Sequence, residues 1–268
     1  MSSPPAQIEA RLVPSDLTES ANTLKTEFTG SPSPTARKSE PISSLREILA
    51  SEDAESDSLF ERFAWLYVFF REKIFRDDTE RIVRALWPNG NPPRGTRLIE
   101  LGCGPGFYSC GLAARFPQIS VLGVDRSAQQ LKCATAKAHG AALQNCQFDT
   151  DDVAHLSHAD SSVDAVIAAR LFTVLPKQER AVAEMFRILR AGGRCLIAEP
   201  RYAFWASLPL YAMWALAGLT RVRNGYCEPG KATVLSPVAF KALFASQPWS
   251  RVETWQDGRY QYALCEKG

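Results

Sequence analysis

The polarity pattern of the chain changes at about residue 59. From there on, short runs of mostly apolar residues alternate with longer stretches in which apolar residues recur every three or four positions. The first kind is typical of buried strands and the second of amphipathic helices. This alternation predicts an α/β fold, a parallel sheet covered by helices. The predicted strands span 98–101, 121–125, 164–169 and 194–199, and the helices 107–115 and 177–190.

Both ends of this region depart from the alternation. The stretch 59–87 carries apolar residues at helical intervals only, which predicts one or two helices ahead of the first strand. Near the C-terminus, a Ser-Pro pair at 236–237 provides an N-cap and a first-turn proline for a helix over 238–245. Two further strands, joined at Asp257-Gly258, predict a hairpin over 251–265.

Residues 1–57 differ in composition from the rest. They are rich in Ser, Pro, Thr and Glu without a sustained apolar period, so we expect a disordered tail. The tail holds five basic and ten acidic residues, and since the whole chain carries +2, the remainder carries about +7. That excess is too dispersed to predict nucleic-acid binding, but it is compatible with an anionic substrate or peripheral membrane contact. The tail lacks an apolar signal core and has too many acids for a transit peptide, so we expect a cytoplasmic location.

One glycine-rich turn carries the clearest chemical signal. The first strand leads into Glu100-Leu-Gly-Cys-Gly-Pro-Gly106, and the second strand ends in Asp125. Three alternate glycines suit a turn that brings backbone amides and a helix N-terminus against a ligand, and Asp125 suits the two hydroxyls of a ribose. The spacing E-x-G-x-G-x-G differs from the dinucleotide fingerprint G-x-G-x-x-G. A carboxylate at Glu100 would repel a pyrophosphate but suits a ligand with a cationic amino-acid end, such as S-adenosylmethionine.

These motifs resemble those of the class I S-adenosylmethionine-dependent methyltransferases, among them the ubiquinone-type and other small-molecule enzymes. The resemblance covers residues 60–200 and implies a Rossmann-like, seven-stranded mixed sheet with an antiparallel last strand. It implies that Asp152 contacts the adenine amino group and that Val153 contacts a ring nitrogen. The residues expected to bind S-adenosylmethionine are Glu100, Gly102, Cys103, Gly104, Gly106, Asp125, Arg126, Asp152, Val153 and Ala169.

An uncharged stretch follows the fifth predicted strand. Residues 203–220 contain no charged side chain in eighteen positions, and Pro209 interrupts them near the start. A membrane-spanning helix needs about 20 apolar residues, so a lid or interfacial helix is favoured over a span. We expect 203–235 to be a lid inserted in a methyltransferase domain over 58–268, which implies a hydrophobic or amphiphilic acceptor such as a lipid, a quinone-like ring or a terpenoid. A core helix that shields the cofactor is a nearly equal interpretation.

No catalytic base is evident. The sulfonium methyl group is already electrophilic, so the main requirements are alignment of the acceptor and exclusion of water. Arg170 could bind an acidic group on the acceptor, bind the cofactor carboxylate or point to solvent. His155 and His158 are interpreted as surface residues. The chain lacks the Asn-Pro-Pro-aromatic motif after the fourth strand, so a base nitrogen in DNA or RNA is an unsuitable acceptor. The candidates on the acceptor side are Tyr67, Arg170, Tyr226 and Tyr260.

The seven cysteines show no C-x-x-C pair and no metal-ligand spacing. An odd number scattered through predicted strands and helices fits reduced thiols. Cys103, inside the glycine turn, suits packing better than nucleophilic chemistry. The sequence therefore predicts no metal site.

Two functions of different class remain at this point. One is a methyltransferase acting on a small apolar or amphiphilic molecule. The other is a non-catalytic subunit with a cofactor-binding fold, which would bind a protein partner through the 203–220 surface. The acids Glu100, Asp125 and Asp152 favour the enzyme, since a non-catalytic relative has no need of three polar contacts to the cofactor.

Overall fold

Seven strands form one mixed sheet in the computed structural model, which describes residues 59–73, 76–219 and 231–268. The strand order is β3-β2-β1-β4-β5-β7-β6. Strands β1 to β5 are parallel, and β7 runs antiparallel to both β5 and β6. This arrangement confirms the predicted fold class. The strands are β1 Arg97–Leu101, β2 Ser120–Asp125, β3 Cys146–Thr150, β4 Val163–Ala169, β5 Leu189–Pro200, β6 Trp249–Asp257 and β7 Tyr260–Lys267.

Helices precede the sheet and connect its strands. The predicted helical segment ahead of β1 is present, although it forms three short helices rather than one or two. The predicted tail over 1–57 lies outside the described residues. The helices are α1 Leu59–Arg62, α2 Ala64–Lys73, α3 Thr79–Leu86, α4 Phe107–Arg115, α5 Ala128–Gly140, α6 Gln178–Ile188, α7 Ala203–Leu219 and α8 Pro237–Leu243, the last continued by a 3₁₀ turn, Phe244–Ser246.

The sheet separates two hydrophobic clusters. Alternate residues of a strand point to opposite faces, so Leu98 of β1 packs with α3 and α4 while Ile99 packs with α6 and α8. Burial on both faces explains why β4 is a nearly continuous apolar run. The carboxyl ends of β1 to β5 share one edge of the sheet, which is where ligands bind in folds of this kind.

Strand β5 begins earlier than predicted. Residues 191–193, between the predicted helix 177–190 and the predicted strand 194–199, lie within the strand as an irregularity: Leu189 pairs with Val163, and pairing then resumes at Arg194. Gly192 has a φ of 72°, a conformation that favours glycine. Residues 191–193 therefore form a bulge within β5 and not a separate turn ahead of the strand.

Helix α7 runs through Pro209, so the predicted interruption is wrong. A proline inside a helix costs roughly 3 kcal/mol. Leu210 and Met213 offset this cost because both are buried in a third cluster with Leu59 and Phe63. Within the described ranges, none of the helices is both long and apolar enough to cross a membrane.

Candidate active site

A cavity of about 900 Å³ opens at the carboxyl edge of the sheet. The loops after β1, β2, β3 and β4 contribute to it, so the fold brings together the glycine turn, Asp125, Asp152 and Arg170. Helices α1, α2 and α7 and the hairpin between β6 and β7 form the other walls. Of the predicted site residues, the cavity is lined by Tyr67, Gly102, Gly104, Asp125, Arg126, Asp152, Val153, Arg170 and Tyr260.

The glycine turn lies against the leading helices and the loop after β4. Gly102 and Gly104 have φ values of 65° and 52°. A Cβ on Gly102 would lie 2.7 Å from Leu171 Cδ1, and one on Gly104 would lie 3.2 Å from Tyr67 Cε1. The positive φ values disfavour a side chain at either position, and the ring of Tyr67 lies close over the turn.

Asp125 closes the turn from the adjacent strand. Its Oδ2 accepts a hydrogen bond from the Gly104 N–H at 2.8 Å, and its Oδ1 accepts one from the Ser127 N–H at 2.9 Å. Burial raises the pKa of the Asp125 carboxyl, although these two hydrogen bonds act in the opposite direction. Each carboxylate oxygen retains a further lone pair for a ligand hydroxyl.

The loop after β3 forms the far end of the cavity. Asp152 Oδ1 accepts a hydrogen bond from the Ala154 N–H at 2.9 Å, which lowers the pKa of the Asp152 carboxyl. Val153 is buried and lines the cavity, and its contact with adenine stays a prediction. His155 also lines it, with a side chain that is 64% exposed, so it lies at the cavity rim.

Glu100 lies outside the cavity lining, contrary to the expected contact with the cationic end of a ligand. Its side chain is buried and accepts hydrogen bonds from the N–H and hydroxyl of Ser109 in α4. The strand period explains this position. Glu100 shares a face with Leu98, two residues earlier, and that face packs against α4. The carboxylate therefore fixes the helix behind the glycine turn.

Cys103, Gly106 and Ala169 also lie outside the lining. The Cys103 N–H donates to the Val124 carbonyl at 3.0 Å, and burial raises the pKa of its thiol, in agreement with a packing role. A Cβ on Gly106 would lie 2.8 Å from the Phe148 ring, so this glycine permits helix packing. Ala169 pairs with Ala198 inside the sheet. These three residues therefore pack next to the cavity lining without being part of it.

Arg170 adopts an uncommon backbone conformation, with a φ of 59°. The residue is 9% exposed, so the solvent-facing alternative for its side chain is wrong. Its guanidinium lies 5.7 Å from the centre of the Tyr260 ring and within 3.5 Å of the hydroxyls of Tyr108 and Tyr260. Strain of this kind clusters at functional sites.

Glu199 holds the turn that contains Arg170. Its side chain is 2% exposed, and Oε1 accepts hydrogen bonds from the N–H groups of Leu171 and Phe172 at 2.8 and 3.0 Å. Burial raises the pKa of the Glu199 carboxyl to about 7. The sequence pattern showed Glu199 only as the end of a strand, and no motif marked it as a buried acid.

Gln130 is a second residue that the motifs did not reveal. It lies in the first turn of α5, is 1% exposed and lines the cavity. Both polar atoms of its side-chain amide are buried without a hydrogen-bond partner among the described residues. Buried amide groups are nearly always paired, so an unpaired one at a cavity wall indicates a place for a polar ligand.

Helix α7 covers the cavity, and Trp205, Pro209 and Leu210 line it. The segment after residue 230 returns to the same place: the Ala232 N–H donates to Ser207 Oγ, and the Thr233 N–H donates to the Thr173 carbonyl, both at 2.9 Å. Tyr226 lies outside the described residues. The part of the predicted lid that is described therefore forms the cavity roof.

This fold and cavity define a class I S-adenosylmethionine-dependent methyltransferase. Residues 93–237 match the family model of a methyltransferase domain, and the chain belongs to that family. A solved structure of an S-adenosylmethionine-dependent methyltransferase from Thermotoga maritima, described as a possible histamine N-methyltransferase, shares the fold. It has a TM-score of 0.51 at 18% identity and covers 78% of this chain and 98% of that one.

Two curated relatives are similar in sequence. Trans-aconitate 2-methyltransferase of Deinococcus radiodurans is 34% identical over 153 residues, which is 55% of each chain. Demethylmenaquinone methyltransferase of the same organism is 34% identical over 103 residues, or 38% of this chain and 42% of the relative. The chain thus spans about half the length of these relatives. Both relatives are named as methyltransferases, which agrees with the family match.

Proposed function

We propose that this methyltransferase acts on a small apolar or amphiphilic acceptor, which binds beneath α7. The observation that carries the proposal is the roof of the cavity, where Trp205, Pro209 and Leu210 face the space beyond the glycine turn. The relatives are named for acceptors as different as trans-aconitate and demethylmenaquinone, so their names do not define one acceptor class.

The residues of the other half of the cavity fit S-adenosylmethionine. Gly104 lines the cavity with its backbone beneath the Tyr67 ring, Asp125 presents a carboxylate for the ribose hydroxyls, and the loop at Asp152 and Val153 is available for adenine. The unpaired amide of Gln130 supplies a further donor and acceptor there. The bound cofactor supplies an electrophilic methyl carbon, so the protein needs to align the acceptor and exclude water.

Replacement of Gln130 by Leu tests this half of the site, because it is expected to raise the stability of the protein and to lower its affinity for the cofactor. Removing a buried, unpaired amide is expected to raise the free energy of unfolding by about 1 kcal/mol. Loss of its hydrogen bonds to the ligand is expected to weaken binding of S-adenosylhomocysteine about tenfold. Thermal unfolding and calorimetric titration measure the two effects, and an unchanged affinity would remove Gln130 from the proposed site.

Replacement of Trp205 by Ala tests the acceptor half. Trp205 lines the cavity, whereas its neighbour Phe204 does not and is 63% exposed. Trp205→Ala is expected to lower kcat/KM at least tenfold for an accepted apolar compound, because it opens the roof and removes contact area. Phe204→Ala is the matched control, with an expected change below about twofold.

The assay measures transfer of labelled methyl groups from S-adenosylmethionine to a fatty acid, a quinol, a prenyl alcohol and, as a polar comparison, trans-aconitate. Product in one of the first three, with loss in Trp205→Ala alone, supports the proposal. Transfer to trans-aconitate alone, or equal loss in both variants, contradicts it.

A further inference from the structure

Helix α7 turns one uncharged face to the outside of the protein. Its opposite face is buried, since Leu210 and Met213 pack in the cluster that contains Phe63. The outer face of a surface helix normally carries charged or polar side chains. The outward row of α7, spaced at the helical period, is Phe204, Tyr211, Ala215, Gly218 and Leu219. Single exposed apolar residues are ordinary, but a row of them marks an interaction surface.

A second exposed row lies on α2, which contacts α7. Trp65 and Phe69 are exposed and one helical turn apart, whereas Leu66 packs against the same buried cluster as Met213. Seven of the nine large apolar residues that are exposed in the described part of the chain lie on α2, on α7 or directly before α7. The name α2–α7 surface is used below for Trp65, Phe69, Phe204, Tyr211 and Leu219.

The α2–α7 surface borders the proposed acceptor half of the cavity. Leu208 lies one turn after Phe204 in the outward row, is partly exposed and also lines the cavity. Trp205 likewise lines the cavity and is exposed. A molecule held at the α2–α7 surface is therefore next to the cavity roof.

Two arginines lie beside the start of α7. Arg201 directly precedes the helix, and its guanidinium lies 5.5 Å from the centre of the neighbouring tyrosine ring. The guanidinium of Arg259 lies 4.2 Å from the centre of the Trp205 ring. Asp257, two residues before Arg259, forms an ion pair with Arg76 at 2.7 Å. Cations thus accompany the exposed aromatic rings at this end of the helix.

The sequence around these helices has the same sign of charge. Residues 201–235 contain four basic residues and one acidic residue, and residues 59–73 contain three basic and two acidic residues. An apolar helix face accompanied by excess Lys and Arg suits an anionic lipid surface, because the apolar side chains enter the headgroup boundary while the cations attract the headgroups. Charge complementarity therefore favours a membrane as the occupant of this surface.

We propose that the α2–α7 surface docks on an anionic lipid bilayer, with α7 lying in the plane of the headgroup region. Tryptophan and tyrosine suit this region, since each combines an apolar ring with a polar atom. A docked α7 places the cavity roof at Trp205 next to the bilayer, which is a source of apolar and amphiphilic acceptors. This inference rests on the proposed function and adds the place where the acceptor is met.

The test is co-sedimentation of the full-length protein with vesicles of phosphatidylcholine, or of an equal mixture of phosphatidylcholine and phosphatidylglycerol. The wild-type protein is expected to bind the mixed vesicles at least tenfold more tightly. Tyr211→Glu and Leu219→Glu are each expected to weaken this binding at least tenfold, because a carboxylate replaces an apolar contact and repels the anionic headgroups.

Val238→Glu is the matched control. Val238 is an apolar residue that is as exposed as Leu219, but it lies on α8, which packs against a different buried cluster. The expected change in vesicle binding is below twofold. All three substitutions are at exposed positions, and thermal unfolding checks that each variant is folded.

Three results would overturn the inference: no binding of the wild-type protein to the mixed vesicles, equal binding to both kinds of vesicle, or equal loss in Val238→Glu. Sedimentation equilibrium without lipid tests a second copy of the chain as the occupant, and a dimer that Tyr211→Glu dissociates would also overturn it. Titration with S-adenosylhomocysteine and methyl transfer to dissolved acceptors need no vesicles, so failure of the proposed function is a separate result.

Discussion

Replacement of Asp125 by Ala is expected to weaken binding of S-adenosylhomocysteine at least a hundredfold. The carboxylate organises the site, since it accepts hydrogen bonds from Gly104 in the glycine turn and from Ser127 at the start of α5. In the proposed site it also offers lone pairs to two ribose hydroxyls. Hydrogen bonds to a charged group contribute about 1.5–3 kcal/mol each, and two of them account for a hundredfold change, about 2.7 kcal/mol.

The measurement is calorimetric titration of the wild-type protein, Asp125→Ala and Asp125→Asn, with thermal unfolding recorded for each. Asparagine keeps one oxygen acceptor, so its affinity is expected to lie between the other two. Asp149→Ala is the matched control, because Asp149 lies on the next strand, is exposed and is not part of the cavity lining. An affinity for Asp125→Ala within threefold of wild type would exclude the proposed ribose contact.

Much of the fold could be predicted because apolar residues recur with a different period in strands and in helices. The alternation of strand-length runs and helical stretches predicted β1, β2, β4, β5 and the final hairpin, and the glycine turn marked the end of β1, but β3 was not among the predicted strands. The errors came where packing overrode a local signal. Pro209 lies inside α7 because Leu210 and Met213 bury apolar surface on its C-terminal side.

The site could be predicted only at the ends of strands. Asp125, Asp152 and Arg170 each follow a strand of one parallel sheet, so their convergence follows from topology. Glu100 lies within a strand, where the direction of its side chain depends on which face α4 covers. Gln130 resembles any polar residue in a first helical turn, and its isolation from other polar groups becomes visible only when the surrounding side chains are in place.

Glu199 is a buried acid whose charge opposes folding. Oε1 accepts two backbone hydrogen bonds, and Oε2 has no hydrogen-bond partner among the described residues. Its pKa is about 7 in the folded protein, against about 4.3 for an exposed glutamate. The folded state therefore binds more protons than the unfolded state between these values. The stability that the protonated carboxyl contributes is complete below about pH 4.3 and is lost as the pH rises to 7.

Glu199→Gln is accordingly expected to be more stable than wild type at pH 8, with an advantage that shrinks toward pH 5 by roughly 2.5 kcal/mol. Glutamine resembles the protonated acid. A difference in the free energy of unfolding that is the same at both pH values would therefore reflect only how its NH₂ group is placed. Denaturant unfolding at both pH values measures the part of this difference that comes from titration of Glu199.

Glu184→Gln is the opposite control: the pKa of Glu184 is lowered by hydrogen bonds from Arg187, so that variant is expected to lose stability at pH 8. A pH-independent difference for Glu199→Gln would mean that the carboxyl is ionised throughout, and that its charge is compensated within the turn that positions Arg170.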